Sequence, residues 1–189
     1  MSDNRKPAFY QASEDDIRSG ATTDVYFQRT VHIIEGAGLD REVRAEFSVK
    51  GLPEDAPWAV FAGLEEVFAL LHGIDLDLRG IAEGTIIRPD EPVMEIRGSY
   101  LQFAIFETAM LGLLCQSSGV ATKAARMRVL AGDKLLASFG ARRMHPAIAP
   151  VIERAAFIGG CDGVSVVKSA EVLGQDPTGT TPHSNAVGG

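Results

Sequence analysis

The chain has 189 residues, 46% of them hydrophobic and 23% charged, enough to bury the core of one domain or two small ones. A formal net charge of -7 and a pI near 5.1 exclude a duplex-reading nucleic-acid surface, which needs a broad excess of Lys and Arg, although local positive charge can still hold a small anion. Cys115 and Cys161 belong to no C-x-x-C pair or His-rich cluster, which fits a reducing cytoplasm. With no apolar leader and no run approaching the ~20 apolar residues of a span, neither secretion nor a membrane is expected.

Residues 1–22 read as a mobile or partner-docked arm, because their apolar residues are scattered among Ser, Asp and Gly. β-branched and aromatic residues over 25–34 and 43–49 predict two strands separated by a turn at 36–44. Apolar residues at helical spacing predict a helix over 58–71, started by Pro57 and closed at His72 and Gly73. The block 83–100 reads as a β-hairpin around Arg88-Pro89-Asp90-Glu91-Pro92. Residues 101–132 carry enough Leu, Ala and Met for one or two helices, with a break expected at Gln116-Ser117-Ser118-Gly119. The last third alternates strand 135–139, helix 147–158, strand 164–167 and helix 168–173, the rhythm of parallel β/α units. The expected class is α/β: an arm over 1–22, an α+β domain over 23–134, and over 135–189 the first part of an irregular α/β barrel.

Chemistry-bearing residues concentrate in that last third. Arg142 and Arg143 follow a strand end, where a guanidinium fork can hold a phosphate or carboxylate; two surface arginines are the plain alternative. Asp162 stands among glycines that give it backbone freedom, or that merely end a helix and start a strand. Thr180, Thr181 and His183 follow a turn and can bond phosphate oxygens or accept a phosphoryl group on nitrogen, yet a lone His near a terminus is usually a surface His. No second His lies at ligand spacing, so no residue is assigned to a protein-held metal. His32, His72 and His145 read as structural or surface residues. Glu83-Gly84-Thr85 reads as a turn, and Thr23-Asp24-Val25-Tyr26 as an element start with Tyr26 in the core.

In order along the chain stand Thr23-Asp24-x-Tyr26, F-x-V-K-G-L-P at 47–53, Phe61-Ala62-Gly63-Leu64-Glu65-Glu66, Glu83-Gly84-Thr85 with Pro89-x-Glu91-Pro92, and Glu107-Thr108. Ala121-Thr122-Lys123-Ala124-Ala125-Arg126, Phe139-Gly140-x-Arg142-Arg143, Ile158-Gly159-Gly160-x-Asp162-Gly163 and Gly179-Thr180-x-x-His183-Ser184 follow. This collinear set resembles the nicotinate phosphoribosyltransferase family, whose members run about twice as far, so the chain is expected to be their N-terminal half. The resemblance implies a type II phosphoribosyltransferase, an N-terminal domain packed on an irregular α/β barrel, with sites shared across a dimer. It implies that nicotinate displaces pyrophosphate from 5-phosphoribosyl pyrophosphate, with Mg²⁺ and with ATP as co-substrate. By position it implies His183 as the histidine phosphorylated by ATP, and Phe139 and a neighbouring subunit's Tyr26 on the two faces of the pyridine. Arg142 falls near the phosphoribosyl group, Asp162 at the ring edge, and Thr180 and Thr181 along the phosphate path. A half-barrel exposes strand edges, so a homodimer or a second polypeptide completing the barrel is expected. Alternatives are a nicotinamide or quinolinate enzyme of the same fold, or a non-catalytic subunit or binding module.

Overall fold

Helix α5 (Glu107–Ala131) is the spine against which segments from both sides of it in sequence pack. In the computed structural model, which describes residues 9–179, its 25 residues run about 37 Å at 1.5 Å per residue. Before it come α1 (Glu14–Arg18), α2 (Val25–Ala37), β1 (Glu42–Ser48), β2 (Ala59–Val60), α3 (Leu64–Leu71), β3 (Asp77–Gly80), β4 (Ile86–Ile87), β5 (Pro92–Ser99) and α4 (Tyr100–Phe103). After it come β6 (Ala137–Ser138), α6 (Ala149–Ile158), β7 (Gly163–Val164) and α7 (Val167–Leu173). Mixed helices and open sheets bear out the expected α/β class.

The first sheet has the order β1-β5-β3 and is antiparallel, with Ala45 opposite Ile96 and Leu78 opposite Ile96 on its other side. Its inner face meets α3 and α5 around Phe61, Val67, Ile96 and Met110, each at most 1% exposed. A second cluster joins Val60 and Ala62 to Ala121, and a third joins Ala124 of α5 to Ala156 of α6 and to Cys161. One helix thus shares apolar contacts with the antiparallel sheet at one end and with the last third of the chain at the other.

Several expectations fail for identifiable reasons. Residues 25–37 form helix α2 and not a strand. Phe27 is buried and Val31 and Ile34 half-buried, a spacing of four and three that one helix face satisfies, and Gly38 in the left-handed region ends it. The predicted helix over 58–71 begins only at Leu64, and its first residues instead form β2. The turn at 88–91 exists, but the flanking strands do not pair with each other: β4 pairs with β2, and β5 with β1 and β3. Within the stretch expected as a mobile or partner-docked arm, residues 14–18 form helix α1: Ser13 and Asp16 form a capping box, and Arg18 donates to the Ala69 carbonyl at 2.6 Å.

No break interrupts α5 at Gln116-Ser117-Ser118-Gly119. Small residues there let β2 approach, and their hydroxyls pair its free edge: Thr122 Oγ1 accepts from the Val60 amide at 2.8 Å, and Ser118 Oγ from the Ala62 amide at 3.0 Å. The stretch Tyr100–Ala131 is long and apolar enough to cross a membrane by length and composition, contrary to the expectation that no run approaches that size. Its Met110, Leu114 and Ala121 are core residues, so part of its apolar character serves the core.

The expected strand-helix-strand-helix rhythm of the last third is observed, with boundaries shifted by at most three residues. β6 and β7 are parallel, with Ala137 opposite Gly163 and Ser138 opposite Val164.

Candidate functional site

Parallel strands with covering helices gather ligand-binding groups at their carboxyl ends, where the following loops begin. β6 leads directly into Phe139 and a 3-10 turn over Gly140–Arg143, and β7 leads into Ser165 and Val166. The Thr178 amide donates to the Val164 carbonyl at 2.8 Å, which returns the chain beside β7. Glycine is required at 163 for this return, because a Cβ there would stand 2.3 Å from Thr178 Oγ1.

Between α5 and β6 lies a cavity of about 660 Å³, a size suited to a small ring compound. Val120 and Ile152 line it with apolar surface, together with the more exposed Met127, Phe139 and Met144, and Lys123 and Gln116 of α5 supply polar groups. An apolar slot with one ammonium and an exposed aromatic edge can hold a flat anionic ring: the walls bury its faces and the cation offsets its charge.

The predicted site residues are distributed unequally around this cavity. Phe139 is at its mouth, 41% exposed. Arg142 and Arg143 lie on the 3-10 turn, not on a strand, both exposed, with no ion pair among the described residues; neither lines the cavity. Tyr26 is 54% exposed and stacks on Phe27 with ring centroids 4.0 Å apart, so the expectation of a core tyrosine fails. It belongs to α2, which packs on α4 and the 104–106 turn, outside the cavity that holds Phe139. Partial burial, then the neighbouring Glu107, Tyr100 and Asp24, push its hydroxyl above the ordinary tyrosine range. Thr180, Thr181 and His183 lie outside the described residues.

Asp162 is placed differently from the expected ring-edge acid. It precedes β7, and its Oδ2 accepts from the Leu136 amide, which precedes β6, at 2.8 Å and from Arg128. Its carboxylate therefore stands at the end of the sheet opposite the rim, held below the ordinary aspartate range by the Leu136 amide first and the Arg128 guanidinium second. Arg128 in turn donates to the carbonyls of Gly160, Gly132 and Lys134, each at 2.8 Å, tying the end of α5 to the turns on either side.

Three further side chains organise the region: Arg154 and Glu153, to which the sequence analysis gives no role, and Glu83. Arg154 of α6 bridges Glu65 at 2.5 Å and Glu83 at 2.8 Å. Glu83, read above as part of a plain turn, also accepts from the Gly63 amide at 2.6 Å and so caps α3 from a distance. Burial works to raise the Glu83 pKa, but the Arg154 hydrogen bond and charge and the amides outweigh it and leave it lowered. Glu66 beside them is raised, chiefly by burial. Glu153 of α6 is 0% exposed and accepts from the Ser165 amide, the Ser165 hydroxyl and the Val166 amide. The sequence-level signal for it was a lone Glu on the apolar side of a predicted helix, among Ile152, Ala155 and Ala156.

The family described as "Quinolinate phosphoribosyl transferase, N-terminal domain" matches residues 24–118, half of the chain. Over 188 residues, 94% of this chain, the sequence is 32% identical to nicotinate phosphoribosyltransferase 1 of Arabidopsis thaliana. The chain belongs to the nicotinate phosphoribosyltransferase family, as its N-terminal part. It spans 33% of the length of that Arabidopsis relative. Among solved structures, a nicotinate-nucleotide pyrophosphorylase from Pyrococcus furiosus superposes with a TM-score of 0.93 at 50% identity, covering 97% of this chain and 48% of that one. The human nicotinic acid phosphoribosyltransferase superposes with a TM-score of 0.78 at 25% identity, covering 86% of this chain and 39% of that one.

Proposed function

We propose that the chain is the N-terminal part of a nicotinate phosphoribosyltransferase of NAD biosynthesis, acting in the cytoplasm. The observation that carries this reading is the apolar cavity with Phe139 at its mouth and Lys123 in its wall, beside the carboxyl ends of β6 and β7, in a chain of this family. Nicotinate enters as a flat anion, its ring against Phe139. The ring-nitrogen lone pair forms the new bond to C1 of 5-phosphoribosyl pyrophosphate as the C1–O bond breaks, and that electron pair leaves with pyrophosphate. The ring nitrogen carries no proton to remove, so no general base is required. Arg142, exposed just past the rim, is assigned to the phosphoribosyl anion. Tyr26 is assigned to the neighbouring subunit's ring contact, for which its outward exposure suits it.

Among the described residues no three His, Cys, Asp or Glu side chains converge on a metal position. Mg²⁺ is assigned to the substrate as its pyrophosphate chelate, and no step by this chain runs through it. ATP is assigned to phosphorylate His183, with Thr180 and Thr181 along the phosphate path. In the complete protein His183→Ala is expected to abolish the ATP dependence of nucleotide yield while leaving ATP-independent turnover; an unchanged ATP requirement rejects the role.

Leu111, Met127, Val129, Leu130 and Leu135 are each at least 42% exposed, an apolar surface that supports a homodimer or a second polypeptide completing the barrel. A second reading, quinolinate as the pyridine, is favoured by the description of the matching family. Nicotinamide is disfavoured, because the Asp162 carboxylate that would accept from its amide is engaged by Arg128 and Leu136. Incubating the complete protein with 5-phosphoribosyl pyrophosphate and each pyridine in turn, and measuring mononucleotide formed, tests these readings. Turnover of nicotinate alone is expected, and turnover of quinolinate alone would replace the proposal.

A further inference from the structure

A carboxylate with no solvent exposure has a purpose to be found, because each oxygen taken from water must be repaid in hydrogen bonds. Glu153 meets that requirement at one place only among the described residues. Its Oε1 accepts from the Ser165 amide at 3.1 Å and from the Ser165 hydroxyl at 2.7 Å, and its Oε2 accepts from the Val166 amide at 2.9 Å. These three donors belong to the two residues between β7 and α7. That turn leaves the carboxyl end of β7, and Phe139 leaves the same end of the neighbouring parallel strand β6. Adjacent strands stand about 4.8 Å apart, so the turn and the aromatic ring share one stretch of rim.

We propose that Glu153 is a positioning residue: reaching from α6 under the sheet edge, it fixes the Ser165-Val166 turn beside Phe139 and thereby shapes the pyridine end of the site. The inference rests on the phosphoribosyltransferase reading above. The contacts are of a kind that fixes geometry. Two successive amides aimed at the two oxygens of one carboxylate set the orientation of both peptide planes, and charged acceptors hold donors more tightly than neutral ones. The Ser165 hydroxyl proton is spent on Glu153, so toward the rim Ser165 offers lone pairs and not a donor. Glu153 itself touches no ligand, being enclosed. Its neighbour Arg154 faces the other way, to Glu65 and Glu83, so the two roles of this helix turn are separable.

The test uses Glu153→Gln, which keeps shape and length but replaces one acceptor oxygen by an amide nitrogen; Glu153→Asp, which keeps the charge and shortens the reach, serves if the first variant does not fold. Backbone amide exchange at Ser165 and Val166 is measured first. It is expected to quicken in the variant while exchange in α3 and the first turns of α5 stays unchanged; unchanged exchange at 165 and 166 overturns the proposal. Steady-state kinetics of the complete protein then separate positioning from mere support. KM for the pyridine is expected to rise about tenfold or more, the scale on which small misplacements act, with KM for 5-phosphoribosyl pyrophosphate within about twofold. Quicker exchange with both KM values unchanged, or raised together, rejects the positioning role. If the wild-type protein turns over no pyridine at all, the phosphoribosyltransferase reading fails and this role falls with it, an outcome visible without any variant.

Discussion

Arg128 donates to four oxygens, three backbone carbonyls and the Asp162 carboxylate, and together they form a knot at the base of β6 and β7. Asp162 gains no stability from burial there, but its charged form is favoured by a backbone amide and a guanidinium, so its pKa is lower folded than unfolded. The sign follows from linkage: the contribution is full above the unfolded aspartate value of about 3.9 and is lost as pH falls through the lower folded value. Asp162→Asn is therefore expected to unfold at lower urea than wild type at pH 7, with the gap closing below about pH 4. A gap that persists at pH 2 would show the effect to be steric. In sequence this residue read as a ligand-edge acid because the surrounding glycines suggested access; the distant Arg128 that occupies it left no local trace.

At the scale of the element, α5 and α6 meet through small residues. Gly159, at the end of α6, lies so close to α5 that a Cβ would stand 2.2 Å from the Ala121 carbonyl oxygen and 2.7 Å from Ala124 Cβ. The colliding atom is backbone inside a long helix and cannot rotate away. Gly159→Ala is expected to cost about 1–3 kcal/mol, the range for overpacking, read as a shift in urea midpoint with unchanged slope. The same logic corrected the reading of α5. Gln116-Ser117-Ser118-Gly119 has the composition of a helix break, but in a helix stabilised by tertiary contacts the small residues let a strand edge approach, and Ser118 and Thr122 pair it with their hydroxyls. At α2 the β-branched and aromatic composition favours a strand, but the spacing of Phe27, Val31 and Ile34 places them on one helix face, and that burial decides the element.

For the whole molecule, one cation among three acids adds a charged link, beside the α5–α6 packing, between the part that holds the antiparallel sheet and the last third. Arg154 is 22% exposed and Glu83 12%, so removing the arginine strands a partly buried carboxylate; the exposed Glu65 adds little. Arg154→Met is expected to cost about 2–4 kcal/mol at pH 7 in urea unfolding. Its cost shrinks toward acid pH, because the lowered Glu83 pKa means the favourable pairing is lost once that carboxyl is protonated. A loss of the same size at pH 3 would assign the effect to packing of the arginine stem instead.

The sequence by itself determined the α/β class, the parallel rhythm of the last third and the family, because periodicity, turn chemistry and collinear motifs are local or ordered properties of the chain. Only the tertiary structure decided which strands pair, that α5 runs unbroken, and that Asp162, Glu83 and Glu153 spend their charge on distant backbone and arginine partners. A carboxylate's role is set by the donors that reach it, and those donors stand 12 to 71 residues away in sequence.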